Sequence, residues 1–277
     1  MTLTTTTTKN KVLFIMGTTG TGKTKLSLSL GSSFPSEIIN SDKIQVYKGL
    51  DVVSNKVSET EQRRIPHHLL GIIDDPDMDF SISDFCSKVL SALDQITERG
   101  NLPIIVGGSN TYLEALVEDP ANDFRSKYDC CFIWLDVSLP VLFDYLGKRV
   151  DVMIEEGFVD EIREAFVSDA DYSRGLRRAI GVPEFDQFMR AKKEGQDEAH
   201  LEELLEDATA RTKENTNKLA EVQLGKIHRL KNERGWELKR INATPVFEAI
   251  AKGDKYESVW EEIVFKPSLK IVMSSLG

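Results

Sequence analysis

Apolar residues gather in four short runs, at 12–16, 37–40, 103–106 and 131–137, each ending near a polar or glycine-rich stretch. Runs of this length with little polar alternation predict strands of a parallel sheet whose two faces are both covered. Between them the period changes. Over residues 83–99, Phe85, Val89, Leu90, Leu93 and Ile96 form one apolar stripe closed by Gly100, which predicts an amphipathic helix. Strands alternating with helices imply an α/β fold.

After Pro140 the helical period continues with few strand candidates until 236–241. Residues 194–210 carry seven acidic side chains and no Lys or Arg, whereas 211–240 carry nine Lys and Arg against four Glu. A charge run is most simply a solvated helix face. The basic run also holds Leu219, Val222, Ile227 and Leu230 at helical spacing, which would pack it on the core, with Lys218 and Lys226 bordering that stripe. The expected organisation is a tail over 1–10, a core over 11–140, a helical subdomain over 141–232 and a return to the sheet over 233–277.

Composition narrows the class of protein. Hydrophobic residues make up 40% of the 277, and no apolar run approaches the roughly 20 residues a membrane helix needs, so no membrane partner is expected. A net charge of −10 argues against a large nucleic-acid ligand while leaving small nucleotides open. Cys86, Cys130 and Cys131 show neither a disulfide framework nor zinc spacing, which fits a reducing compartment. The threonine-rich start lacks the basic and apolar regions of a secretory signal, leaving plastid stroma and cytoplasm both open.

The chemistry enters at Gly17-Thr18-Thr19-Gly20-Thr21-Gly22-Lys23-Thr24, a complete G-x-x-x-x-G-K-[ST] phosphate loop between a strand and a helix. Gly17, Gly20 and Gly22 let backbone N–H groups converge on phosphate oxygens, Lys23 adds a point charge, and Thr24 is placed to hold Mg²⁺. In an open parallel sheet the loops beyond the carboxyl strand ends share one rim, so Ser41, Asp42 and 107–110 should face this loop. Asp42 could there ligate Mg²⁺, position a nucleoside or act as a general base. Asp136 could be the acid on the metal side, or cap the element that follows. His67 and His68 lack the nearby acidic or Cys partners of a metal site. On these residues alone a small-molecule kinase fits as well as anything else.

Longer segments break that tie. Asp42-Lys43-Ile44-Gln45-Val46-Tyr47-Lys48-Gly49-Leu50-Asp51, Ile65-Pro66-His67-His68-Leu69, Phe80-Ser81-Ile82-Ser83-Asp84-Phe85 and Ile104-Ile105-Val106-Gly107-Gly108-Ser109-Asn110-Thr111-Tyr112-Leu113 follow the phosphate loop in this order. Together they resemble the isopentenyltransferase family, which includes tRNA dimethylallyltransferases and the adenylate isopentenyltransferases that begin cytokinin synthesis. The resemblance spans about 12–243 and implies a P-loop NTPase-like core, with a central parallel sheet flanked by helices, plus a smaller helical subdomain.

It also implies the chemistry. The phosphate loop would hold the diphosphate of dimethylallyl diphosphate, with Mg²⁺ as cofactor, while N6 of an adenine attacks the allylic carbon. Asp42 matches the family's base, Thr19 and Ser109 match hydroxyl positions near the transferred group, and Arg178 matches an arginine near the diphosphate. Many relatives carry Arg immediately before Gln223, where this chain has Val222, so Lys218 or Lys226 would have to replace that contact. The segment 172–186 looks like the plant adenylate enzymes, which implies AMP, ADP or ATP as acceptor, with Lys218, Lys226 and Arg229 as candidate partners of its phosphates. A tRNA acceptor is the alternative. The enzyme is expected to act as a monomer.

Overall fold

A computed structural model describes residues 9–277. The expected tail over 1–10 lies outside the described residues except for its end, where Asn10 already pairs with Tyr128 as the first residue of a strand. Six strands form one sheet: β1 (Asn10–Gly17), β2 (Ser36–Asn40), β3 (His67–His68), β4 (Leu102–Val106), β5 (Tyr128–Asp136) and β6 (Leu238–Asn242). Their order is β3-β2-β4-β1-β5-β6, and every pairing is parallel.

Central β1 shows why its sequence reads as an unbroken apolar run. Val12, Phe14 and Met16 point into one core cluster and Leu13 and Ile15 into the other, all at most 1% exposed. A strand covered on both faces has no side left for polar alternation. β5 starts at Tyr128, three residues before the apolar run, because its first positions pair with β1 alone before β6 joins at Phe132 and so tolerate the exposed Asp129. β6 begins after Trp236, which instead stacks on Phe132 with ring centroids 4.5 Å apart and donates from its indole N–H to Glu118. β3 is two histidines long and was not anticipated. It pairs with β2 through Ile38 and Ile39.

The helix expected over 83–99 runs Ile82–Glu98, because Ser81 and Asp84 make a reciprocal capping box that sets its start. Between β5 and β6 the chain forms the helices Leu139–Glu155, Phe158–Ala165, Asp186–Glu194 and Glu198–Asn232. The last of these is 35 residues long and carries most of both the acidic and the basic run. Acid at its N-terminal end and base at its C-terminal end complement the helix dipole. After β6 the chain returns past the phosphate loop. Trp260 lies 5% exposed against it, and a Cβ on Gly22 would come within 2.8 Å of the Trp260 ring.

Candidate functional site

The carboxyl ends of β1, β2 and β4 open into a cavity of about 600 Å³. Its size suits a small-molecule ligand. Thr19, Gly20, Gly22, Lys23 and Thr24 of the phosphate loop line it, together with Asp42 and residues 107–111, which run from the end of β4 into the next helix. Gly22 holds φ at +89°, a left-handed conformation that lets the loop feed directly into the helix Lys23–Gly31. Gly17 stays within β1 and does not line the cavity.

Hydrogen bonds lock the three loops to one another. The Ser41 N–H donates to Val106 O at 2.8 Å, and the Lys43 N–H donates to Ser109 Oγ at 3.1 Å, joining the loops after β2 and β4. Asp42 Oδ1 accepts from the Ile44 N–H at 2.9 Å, which fixes the carboxylate in a tight turn. Gln223, buried on the long helix, accepts from the Thr19 N–H at 2.7 Å and donates to Gly108 O at 3.1 Å. The approach is so close that a Cβ on Gly108 would collide with the Gln223 amide.

The electrostatics of the cavity oppose those of the chain as a whole. Among the described residues, Lys23, Lys43, Arg149, Arg178 and Lys226 line it, and Asp42 is the one carboxylate among the lining residues. Lys23 Nζ donates to Thr18 O at 2.6 Å. Burial pulls its pKa down to about 8, Asp42 partly restores the charge and Arg149 opposes it further. A positive cavity in a protein of net charge −10 is built for an anion.

Arg149, which the sequence reading missed, is central to that charge. It lies on the helix Leu139–Glu155, and one terminal N–H group donates to Thr19 Oγ1 at 3.2 Å. Burial lowers its pKa, and its Nε–H is enclosed without a partner. A half-buried guanidinium with an enclosed Nε–H and no neighbouring carboxylate is costly unless an anion arrives. Arg178 sits in the single turn Leu176–Arg178 and also leaves its Nε–H enclosed and unpartnered, with Asp79 3.9 Å away.

The other expected residues separate. Lys226 lines the cavity and donates to Thr111 Oγ1 at 2.9 Å. Lys218 does not reach it: its ammonium pairs with Glu214 at 2.6 Å, one turn back on the exposed helix face. Arg229 is also drawn away, because it and Arg234 share Glu114. Asp136 neither faces a metal position nor caps the next helix. It binds Arg240 of the adjacent strand at 2.6 and 2.7 Å. His68 bonds Glu37 at 2.7 Å, whereas His67 lines the cavity with its Nδ1 2.7 Å from Ile65 O. Cys130 and Cys131 are half-buried in β5, and burial pushes the Cys130 thiol up to about 12.

Comparison with known proteins agrees with this geometry. The family model described as IPP transferase matches residues 45–127 and 118–228. Adenylate isopentenyltransferase 5, chloroplastic, of Arabidopsis thaliana is 49% identical over 270 residues, covering 97% of this chain and 81% of that protein. Adenylate isopentenyltransferase 3, chloroplastic, of the same plant is 48% identical, with 95% and 78% covered. Among solved structures, a eukaryotic dimethylallyltransferase acting on tRNA superposes with a TM-score of 0.76 at 25% identity, over 94% of this chain and 78% of that one.

Proposed function

Because the chain belongs to the IPP transferase family, we propose that it transfers the dimethylallyl group of dimethylallyl diphosphate to N6 of adenine in free AMP, ADP or ATP, releasing diphosphate. The observation that carries this reading is the cavity itself, where five cations and a phosphate loop surround a single carboxylate. Diphosphate leaves an allylic carbon readily once its growing charge is stabilised, and fixed donors in an enclosed site supply that without reorganising. Lys23, Arg149 and the loop N–H groups have this task. Adenine N6 is a weak nucleophile because its lone pair is delocalised into the ring. Asp42 accepts its proton as the N6–C1 bond forms and the C1–O bond breaks, with the electron pair going to diphosphate.

Mg²⁺ would be held by the Thr24 hydroxyl together with diphosphate oxygens. Those are hard oxygen donors, and Mg²⁺ commonly sits on substrate phosphates with few protein ligands, so the residues fit it. When bound, it adds charge stabilisation to the departing diphosphate.

With the donor's diphosphate in the phosphate loop, the acceptor's own phosphates need other cations. Lys226, which lines the cavity, is the candidate. The free-nucleotide reading is favoured over tRNA by the higher identity to adenylate enzymes across nearly the whole chain.

The test is to incubate the protein with dimethylallyl diphosphate, Mg²⁺ and either AMP, ADP, ATP or tRNA, and to weigh the products. A gain of one dimethylallyl group on the nucleotides is expected. ADP formed from ATP would identify a kinase, and prenylation confined to tRNA would identify the tRNA enzyme.

A further inference from the structure

The loop after Asp42 lines the cavity through Val53, Ser54, Asn55 and Val57, and so do Val150 and Met153 of the helix Leu139–Glu155 and Phe158 at the start of the helix Phe158–Ala165. The loop is a single wound turn, with Leu50 and Asn55 both held at φ +50°. Its carbonyls are satisfied from the same stretch of chain. Gln45 Nε2 donates to Ser54 O and Asn55 O at 3.0 and 3.2 Å, and the nearly buried Lys56 ammonium binds Gly49 O and Asp51. The amides are satisfied from farther along the chain. Glu161, on the helix Phe158–Ala165, accepts from the N–H groups of Asp51, Val52 and Val53 through four contacts of 2.9–3.0 Å.

One carboxylate therefore ties the loop to the helix. We propose that Glu161 is a positioning residue that latches the 50–57 loop to the helix Phe158–Ala165 and keeps water from the cavity during transfer. This rests on the prenyl-transfer reading above. An allylic group whose diphosphate is departing reacts with any nucleophile that reaches it. Water attacking C1 would form a C–O bond, break the bond to diphosphate and lose a proton to solvent, giving dimethylallyl alcohol and no prenylated nucleotide. Exclusion of water is one recognised purpose of a closed site. Three backbone N–H donors, one of them shared between both oxygens, give the carboxylate charge-assisted hydrogen bonds to hold the loop in place.

Severing the latch should not unfold the chain. The loop keeps its internal bonds from the Ser54 N–H to Leu50 O and from the Lys56 N–H to Asp51 O, both 2.9 Å, and Phe158 and Ile162 still anchor the helix in the core. What loosens is the relation between loop and helix.

The experiment measures diphosphate released against nucleotide prenylated, with melting temperatures, in the wild type, Glu161→Gln and Glu161→Asp. Glutamine turns an N–H₂ group toward backbone N–H donors, whereas aspartate keeps the charge on a shorter arm. The wild type should give one diphosphate per prenylated nucleotide. Glu161→Gln should raise that ratio about threefold or more, with dimethylallyl alcohol appearing, and Glu161→Asp should fall between. A ratio that stays at one in both variants, even with lower rates or melting temperatures, makes Glu161 merely structural and overturns the latch. Absence of prenylated nucleotide in the wild type would instead sink the reading on which the latch rests.

Discussion

Thr19 and Gln223 meet at 2.7 Å, the backbone N–H of the one donating to the side-chain oxygen of the other, although they lie on the phosphate loop and the long helix. The same amide donates to Gly108 O, so one side chain sets the spacing of three segments. Gln223→Ala leaves buried polar groups unpaired, at about 1–3 kcal/mol. The expected result is a lower melting temperature together with reduced kcat/KM for the donor, measured by calorimetry and steady-state kinetics. Unchanged values for both would show that the contact is dispensable.

Asp42→Asn keeps size and polarity but cannot accept the N6 proton. Turnover should fall by about 10² or more while donor affinity is largely kept. Single-turnover rates beside equilibrium donor binding check this. Near-normal turnover would remove Asp42 from the role of base.

Lys23 gives a pH signature. In the free protein burial holds its pKa near 8, so its charge is present below that pH and lost above it. Donor capture, read as kcat/KM for dimethylallyl diphosphate, should therefore decline as pH rises through about 8. Bound diphosphate favours the charged form and raises the pKa, so kcat should hold to higher pH. Lys23→Ala should abolish the difference between the two profiles. A kcat/KM profile flat from pH 7 to 10 would contradict the assignment.

The cations divide by substrate. If Arg149 meets the donor's diphosphate as proposed, Arg149→Met removes a charge-assisted contact of about 1.5–3 kcal/mol, so donor KM should rise roughly 10- to 100-fold. Lys226→Ala should lower the ratio of kcat/KM for ATP to that for AMP, because AMP lacks the distal phosphates. Lys218→Ala and Arg229→Ala should leave that ratio unchanged, their charges being spent on Glu214 and Glu114. A shift in Lys218→Ala alone would move the phosphate tail to the exposed helix face.

The strands and the phosphate loop were legible because both are written locally, as apolar runs and as a contiguous motif. β3 was not, since two histidines carry no period and become a strand only through Ile38 and Ile39 beside them. Arg149 was invisible for a related reason. It sits on an ordinary amphipathic helix, and the burial that makes it distinctive is a tertiary property. The pairing of Lys218 could have been read, because Glu214 stands four residues before it in the orientation that favours a helical ion pair. Glu114 lies too far from Arg229 along the chain to have been foreseen as its partner. Asp136 went wrong in the same manner, its partner Arg240 coming from a strand placed beside it by the sheet.

Trp260 supports the phosphate loop from behind Gly22, yet it is made long after that loop. The loop leaves the ribosome before most of the sheet, and the ring that backs it only after the last strand. Domains gather from the N-terminus as they emerge, and contacts between distant segments close slowly. A nascent chain thus carries the complete phosphate-loop motif before the surface that steadies it has been made.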